Sequence, residues 1–187
     1  MSAMVNALGG VEAAAPHRAP FHARSAGLSL VDGPDVLRVD VADVIQGAVE
    51  LLLATRRLHG IQFSLELPED PVPANVSHRR LQQVLLLLLA HAADAAGGQG
   101  VRVVVDSPDD FGDLPPRFQF HVAGAQLSPR ELQAVFLSPM LVGPLHRKLA
   151  RARELTESMG GTLAVASDAR EGLTVTVELP APGMTSW

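Results

Sequence analysis

The chain has 187 residues and a mass of 19.7 kDa, with 47% hydrophobic and 19% charged residues, enough for one domain with a sizeable core plus a tail. Its 15 Lys+Arg against 20 Asp+Glu give a formal net charge of −5 and an isoelectric point near 5.8, a field that repels a nucleic acid backbone. The absence of cysteine removes disulfides, thiolate nucleophiles, zinc–thiolate sites and iron–sulfur clusters, leaving chemistry to histidine, carboxylate, hydroxyl and backbone groups.

No apolar run approaches the roughly 20 residues needed to span a bilayer, and no basic region followed by an apolar stretch opens the chain. A cytoplasmic protein without a membrane span is expected. Residues 1–37 carry Gly9-Gly10, Ala13 to Pro16, Pro20, Gly27 and Gly33-Pro34 with no sustained period, and read as a flexible arm. From Val41, apolar residues recur at spacings of three and four (Val41, Val44, Ile45, Ala48, Val49, Leu52), with Asp40 as N-cap, which predicts a helix over 41–58. Ile61, Phe63, Leu65 and Leu67 alternate with polar residues as a half-buried strand. A proline-rich connection, Pro68 to Pro73, then leads to Ser77 as N-cap of a second helix over 78–96, stopped by Gly97-Gly98.

Further strands are expected at 101–106 and 118–123, joined by the polar stretch 107–116. Ser128-Pro129 starts a short helix to about Phe136. Pro144 starts another, whose apolar face is Leu145, Leu149, Ala152, Leu155 and Met159 and which ends at Gly160-Gly161. A hairpin follows, 162–167 and 173–179 around a turn at 168–172. Helices interleaved with strands at this spacing predict an α/β (α+β) two-layer sandwich, a mixed and largely antiparallel sheet with helices on one face. The domain is expected over 38–182, with a short tail at 183–187.

From Val39 to Pro180 the order of elements and several strings resemble the catalytic and ATP-binding domain of sensor histidine kinases. This is the Bergerat-fold family shared with gyrase, the Hsp90 chaperones and the MutL repair proteins. The strings are Leu81-Gln82-Gln83-Val84-Leu85 leading into Ala92-Ala93-Asp94-Ala95, and Gly160-Gly161-Thr162-Leu163-Ala164-Val165 followed by Gly172, Thr174 and Leu179-Pro180. The resemblance implies the histidine-kinase-like ATPase fold and a nucleotide pocket. Leu87, His91 and Asp94 then form the helix stripe facing the nucleotide, with His91 where the family has its magnesium-coordinating asparagine. Imidazole is a poor substitute for an amide oxygen toward that hard ion, so no metal site is expected.

The family's Asp-x-Gly-x-Gly string falls on Val122, Gly124 and Gln126. Valine cannot accept the hydrogen bond from the adenine amino group, and an unpaired polar edge in a buried pocket costs on the order of 1–3 kcal/mol. The lid motif, normally Gly-x-Gly followed by a helix, falls near His146-Arg147-Lys148-Leu149, with only Gly143-Pro144 nearby. Thr174 matches the family's threonine beneath the adenine, and Phe136 its lid phenylalanine. The family carries its phosphoacceptor histidine on a helical hairpin of roughly 50–60 residues. Only about 37 irregular residues precede Val39, and His17 and His22 lack amphipathic flanks, so a self-contained kinase is not expected.

Two functional readings stand side by side. In the first, the chain is a pseudo-ATPase whose pocket is partly filled by Leu87 and Val122. No cofactor is expected, and the work is docking a response regulator, a kinase or a second copy through His146, Arg147, Arg151 and Arg153. In the second, His91, Asp94, Arg147, Lys148 and Thr174 rebuild a site for ATP and magnesium. A structural assembly module, with the arm pairing a second subunit, is a third reading. Each residue also has a plainer role: His91 as a satisfied helix histidine, Asp94 and the basic cluster as solvated surface.

Overall fold

The computed structural model describes residues 36–106, 114–138 and 140–180. Strand β1 (Val36–Asp40) runs straight into helix α1 (Val41–Ala54), and β2 (Gln62–Glu66) follows. Strand β3 (Pro73–Ser77) leads into α2 (His78–Ala95), then β4 (Gly100–Val105) and β5 (Arg117–Val122). Helix α3 (Pro129–Leu137), a 3-10 turn (Pro144–His146) and α4 (Arg147–Ser158) precede the hairpin β6 (Thr162–Asp168) and β7 (Gly172–Glu178).

The main sheet has the order β2-β4-β5-β7-β6, with β2 and β4 parallel and the other neighbours antiparallel. Alternation along the strands divides the sheet into two faces. Val101, Val103, Phe118, Phe120, Val122, Leu173, Val175 and Val177 are buried, forming one core with Leu81, Leu85, Leu88 and Leu89 of α2 and Leu149 of α4. Phe118 and Phe120 meet edge to face at 5.9 Å. The in-between residues, Arg102, Gln119, His121, Thr174 and Thr176, belong to the opposite face. The expected sandwich and sheet are those of the molecule.

Several boundaries differ, for local reasons. Val36–Asp40, partly assigned to the arm, is a strand paired antiparallel with β3, from Val36 opposite Ser77 to Asp40 opposite Pro73. A short run ending in a proline gives no local sign of this pairing; Pro73 is tolerated because it sits at the first strand position. Asp40 does cap α1, its Oδ1 accepting from Ala42 N at 3.0 Å and also from Val72 N at 3.2 Å, so it fastens the helix start to the β3 approach. Helix α1 ends at Ala54 and not at 58. The Thr55 hydroxyl donates to the Leu51 and Leu52 carbonyls, and Arg56 turns left-handed at φ 57°. The helix expected from Pro144 begins as a 3-10 turn, and Leu145 is 46% exposed instead of lying on its apolar face. Residues 1–35, 107–113 and 181–187, on which most of the arm, part of the polar connection and the tail were placed, lie outside the described residues.

Candidate functional site

Helix α2 has its core stripe at Leu81, Val84, Leu85, Leu88, Leu89 and Ala92, and His91 adjoins it. His91 is only 1% exposed and His146 5%. Their rings meet at 5.4 Å between centroids, and His91 Nε2 lies 3.1 Å from His146 Nδ1, a hydrogen bond in which one nitrogen donates and the other accepts. Pro144 presets the 3-10 turn, whose Gly143 carbonyl accepts from His146 N at 3.1 Å; this aims the second imidazole at α2. Burial, first, and then the neighbouring His146 push the His91 pKa down to about 4; Asp94 pulls it back up, and Lys148 adds a smaller push down. His91 is therefore neutral near pH 7.

Glu131 extends the pair. Its Oε1 lies 3.8 Å from His146 Nε2. Its Oε2 accepts from the Ser128 hydroxyl at 2.7 Å and the Ser128 amide at 2.9 Å, while Ser128 Oγ accepts from Glu131 N, a reciprocal capping box on α3. Those bonds from Ser128 hold the Glu131 carboxyl below its ordinary pKa and keep it ionised. A second link between helices is the ion pair of Lys148 on α4 with Asp94 on α2, both partly exposed. Helices α2 and α4 are thus joined by a buried histidine pair inside and a salt bridge outside.

The remaining expected site residues fall in different surroundings. Val122 is fully buried at the end of β5, opposite Leu173. Gly124 is exposed with φ 70°, and the Gln99 side chain lies over it where a Cβ would project. Leu87 is half-buried and packs against the core. Thr174 is a correction: it pairs across the ladder with His121, its Oγ1 lies 3.1 Å from His121 Nδ1, and this places it on the face opposite Val122 and Leu173. The alternation of β7 gives that face to Thr174 and the core face to Leu173, so Thr174 does not join the α2 residues.

The basic cluster divides in the same way. His146 is buried, which removes it from any docking surface. The Arg153 side chain, 12% exposed, donates to the Phe136 carbonyl at 2.5 Å, sits 5.7 Å from that ring's centroid and faces Glu157 at 3.7 Å; it fastens α3 to α4. Arg147 and Arg151 are the exposed members, with Arg151 paired to Glu154 at 2.7 Å.

Two features were not foreseen in the sequence. Glu131 lies three residues after Ser128, the spacing of a capping box, which was the available sign. On the opposite sheet face a cleft of about 460 Å³ is lined by Gln62, Ser64, Gly100, Arg102, His121 and Glu171. Glycine at position 100 leaves the sheet surface without a side chain there. Among the described residues no cluster of three or more His, Asp or Glu is arranged to hold a metal ion, and no helix is long and apolar enough to cross a membrane.

The family model "Histidine kinase-, DNA gyrase B-, and HSP90-like ATPase" matches residues 77–183, more than half of the chain, and the chain belongs to that family. The fold is shared with the catalytic domain of the histidine kinase ThkA in a nucleotide-free form, at a TM-score of 0.66 and 18% identity over 78% of this chain and 97% of that one. It is shared also with a mycobacterial sensor histidine kinase, MprB, at 0.64 and 22% over 80% and 99%. The ATP-binding domain of PrrB from Mycobacterium tuberculosis gives 0.61 and 20% over 80% and 99%. No curated protein matches the sequence.

Proposed function

We propose that this chain uses the histidine-kinase ATPase fold without nucleotide, as a protein-binding module of a two-component phosphosignalling pathway. The observation that carries this reading is the buried bond between His91 and His146. By the resemblance His91 stands at the magnesium-coordinating asparagine and His146 lies near the glycine-rich lid motif. Two imidazoles committed to each other there leave no oxygen for magnesium, and the lid lacks the glycine that would let backbone amides approach phosphates. Lys148, near the lid motif, is held by Asp94. Val122 offers no acceptor to an adenine amino group. The side chains present do not fit a magnesium-bound nucleotide.

The working surface on this reading is the exposed side of the segment from α3 to α4. Leu137, Met140 and Leu141 are exposed by 63%, 87% and 67%, and Arg147 and Arg151 stand beyond them in sequence. Exposed apolar side chains followed in sequence by exposed cations suit an acidic partner face such as that of a response regulator. The unit includes the strand from Val36 that pairs with β3, and it works in the cytoplasm. Binding of a receiver domain, measured without nucleotide, is expected to weaken by about tenfold in the Arg147→Glu, Arg151→Glu double variant and to weaken with added salt. Binding that requires ATP and magnesium, or that ignores the charge reversal, would contradict this function.

A further inference from the structure

The His91–His146 pair does more than fill space. Among the described residues, apart from the exposed Lys148–Asp94 pair, it is the side-chain hydrogen bond that ties the turn before α4 to α2, and both partners are titratable. We propose that it is a proton-operated clasp: a second proton on the pair breaks the bond and releases the 3-10 turn and the start of α4 from α2. This concerns the same region as the function above but does not depend on whether a nucleotide binds.

The stoichiometry of protons decides the behaviour. With no added proton, one ring nitrogen donates and its partner's lone pair accepts. With one, an N–H⁺···N bond persists, so a single protonation leaves the clasp shut. With two, both facing nitrogens carry hydrogens, no acceptor remains between them, and two cations share a buried site. The charged neighbours come from each packed element. From α3, the Glu131 carboxylate faces His146 Nε2 at 3.8 Å. From α2, Asp94 favours a proton on His91, and from α4, Lys148 opposes it.

The direction with pH follows from His91. In the closed form its pKa is depressed to about 4, below the ordinary 6.5 that it regains when released into water. A depressed histidine favours the closed form above 6.5, and that preference is lost as pH falls from 6.5 toward 4. Linkage between those two values raises the opening constant about fiftyfold between pH 7 and pH 4.5. Opening would shift Leu145 and Leu141, neighbours of the clasp in sequence, and so change the apolar surface beside it.

The test is amide hydrogen exchange on the full chain at pH 7 and pH 4.5, expressed as protection relative to the intrinsic rate at each pH. Protection of the His146 amide and of the first bonded amides of α4 is expected to fall about fiftyfold, while Phe120 and Val175 in the central strands keep theirs. In His91→Gln, whose amide can donate to His146 Nδ1 but does not titrate, the fall is expected to disappear. Unchanged protection in the parent chain, an equal fall in the central strands, or the same fall in His91→Gln would overturn the clasp. Nitrogen-15 spectra of the parent imidazoles give a check that needs no variant: His91 taking up its proton near its ordinary pKa with the turn still protected also overturns it. Nucleotide binding at pH 7 would sink the function proposed above and leave this result intact.

Discussion

Gly172→Ala is expected to lower the unfolding free energy by about 3 kcal/mol, read as a fall in the urea midpoint. Gly172 opens β7 with a φ of 90°, a region L side chains rarely adopt. A Cβ there would also overlap the Val122 carbonyl oxygen and lie 3.1 Å from Gly124 N and 3.3 Å from Ala123 Cα. These are backbone atoms of the segment that ends β5, so relief requires moving a strand end and not merely a flexible side chain. Gly60→Ala is the control: its φ is 80°, yet nothing lies within 4 Å of the added methyl. It is expected to cost only about 1 kcal/mol, the strain without the collision. Equal losses at the two positions would mean that the close approach of Gly172 to residues 122–124 is not what fixes that corner.

The second expected result is a strong coupling between His91 and His146 in a double-mutant cycle. His91→Leu leaves His146 Nδ1 buried without its partner, and His146→Leu does the same to His91 Nε2. Each single change is expected to cost about 2 kcal/mol, the desolvation of an orphaned polar atom. Replacing both removes the orphan, because a buried polar pair exchanged for apolar groups of similar size is nearly neutral. The double variant should therefore be no less stable than either single one, a coupling of at least about 2 kcal/mol measured by denaturant unfolding. Additive losses would show that the two rings pack independently and would remove the basis of both the filled site and the clasp.

Much of the fold is written in local pattern. The spacing of Val41, Val44, Ile45, Ala48 and Val49, and the caps Asp40 and Ser77, place α1 and α2 because a helix registers its core face and its unpaired amides within one or two turns. Strands β4 to β7 announce themselves by alternation, since each has one buried face. The β1–β3 pair escapes such reading: its partners are 33 to 41 positions apart with α1 and β2 between them, and the pairing is determined by where α1 and α2 carry the chain. The Thr174 assignment failed for a related reason. String similarity gives a position along β7 but not its face, and the ladder with β5 hands the core to Leu173.

The candidate site was half legible. Leu87, His91 and Asp94 share a helix shoulder at spacings of four and three, visible in the sequence alone. That His91 bonds His146, 55 residues away, follows from the packing of α2 on α4. So does the pairing of Lys148 with Asp94, and with it the change of a presumed phosphate-facing lysine into an interhelical bridge. The charge run on α4 read as one surface. In the structure it separates into a buried histidine, a packed arginine and two exposed arginines, because a helix of 12 residues turns its charges through every direction.

The central claim is that the family's nucleotide site has been given over to protein contacts. The most direct measurement is thermal unfolding at pH 7 with millimolar ATP or ADP, each with and without magnesium. A ligand at 100 times its dissociation constant adds about 2.7 kcal/mol, several degrees in Tm for a domain of this size. The account predicts no shift with either nucleotide under either condition. A magnesium-dependent rise of several degrees would contradict it, and would mean that the His91–His146 pair opens to admit the nucleotide it is here taken to replace.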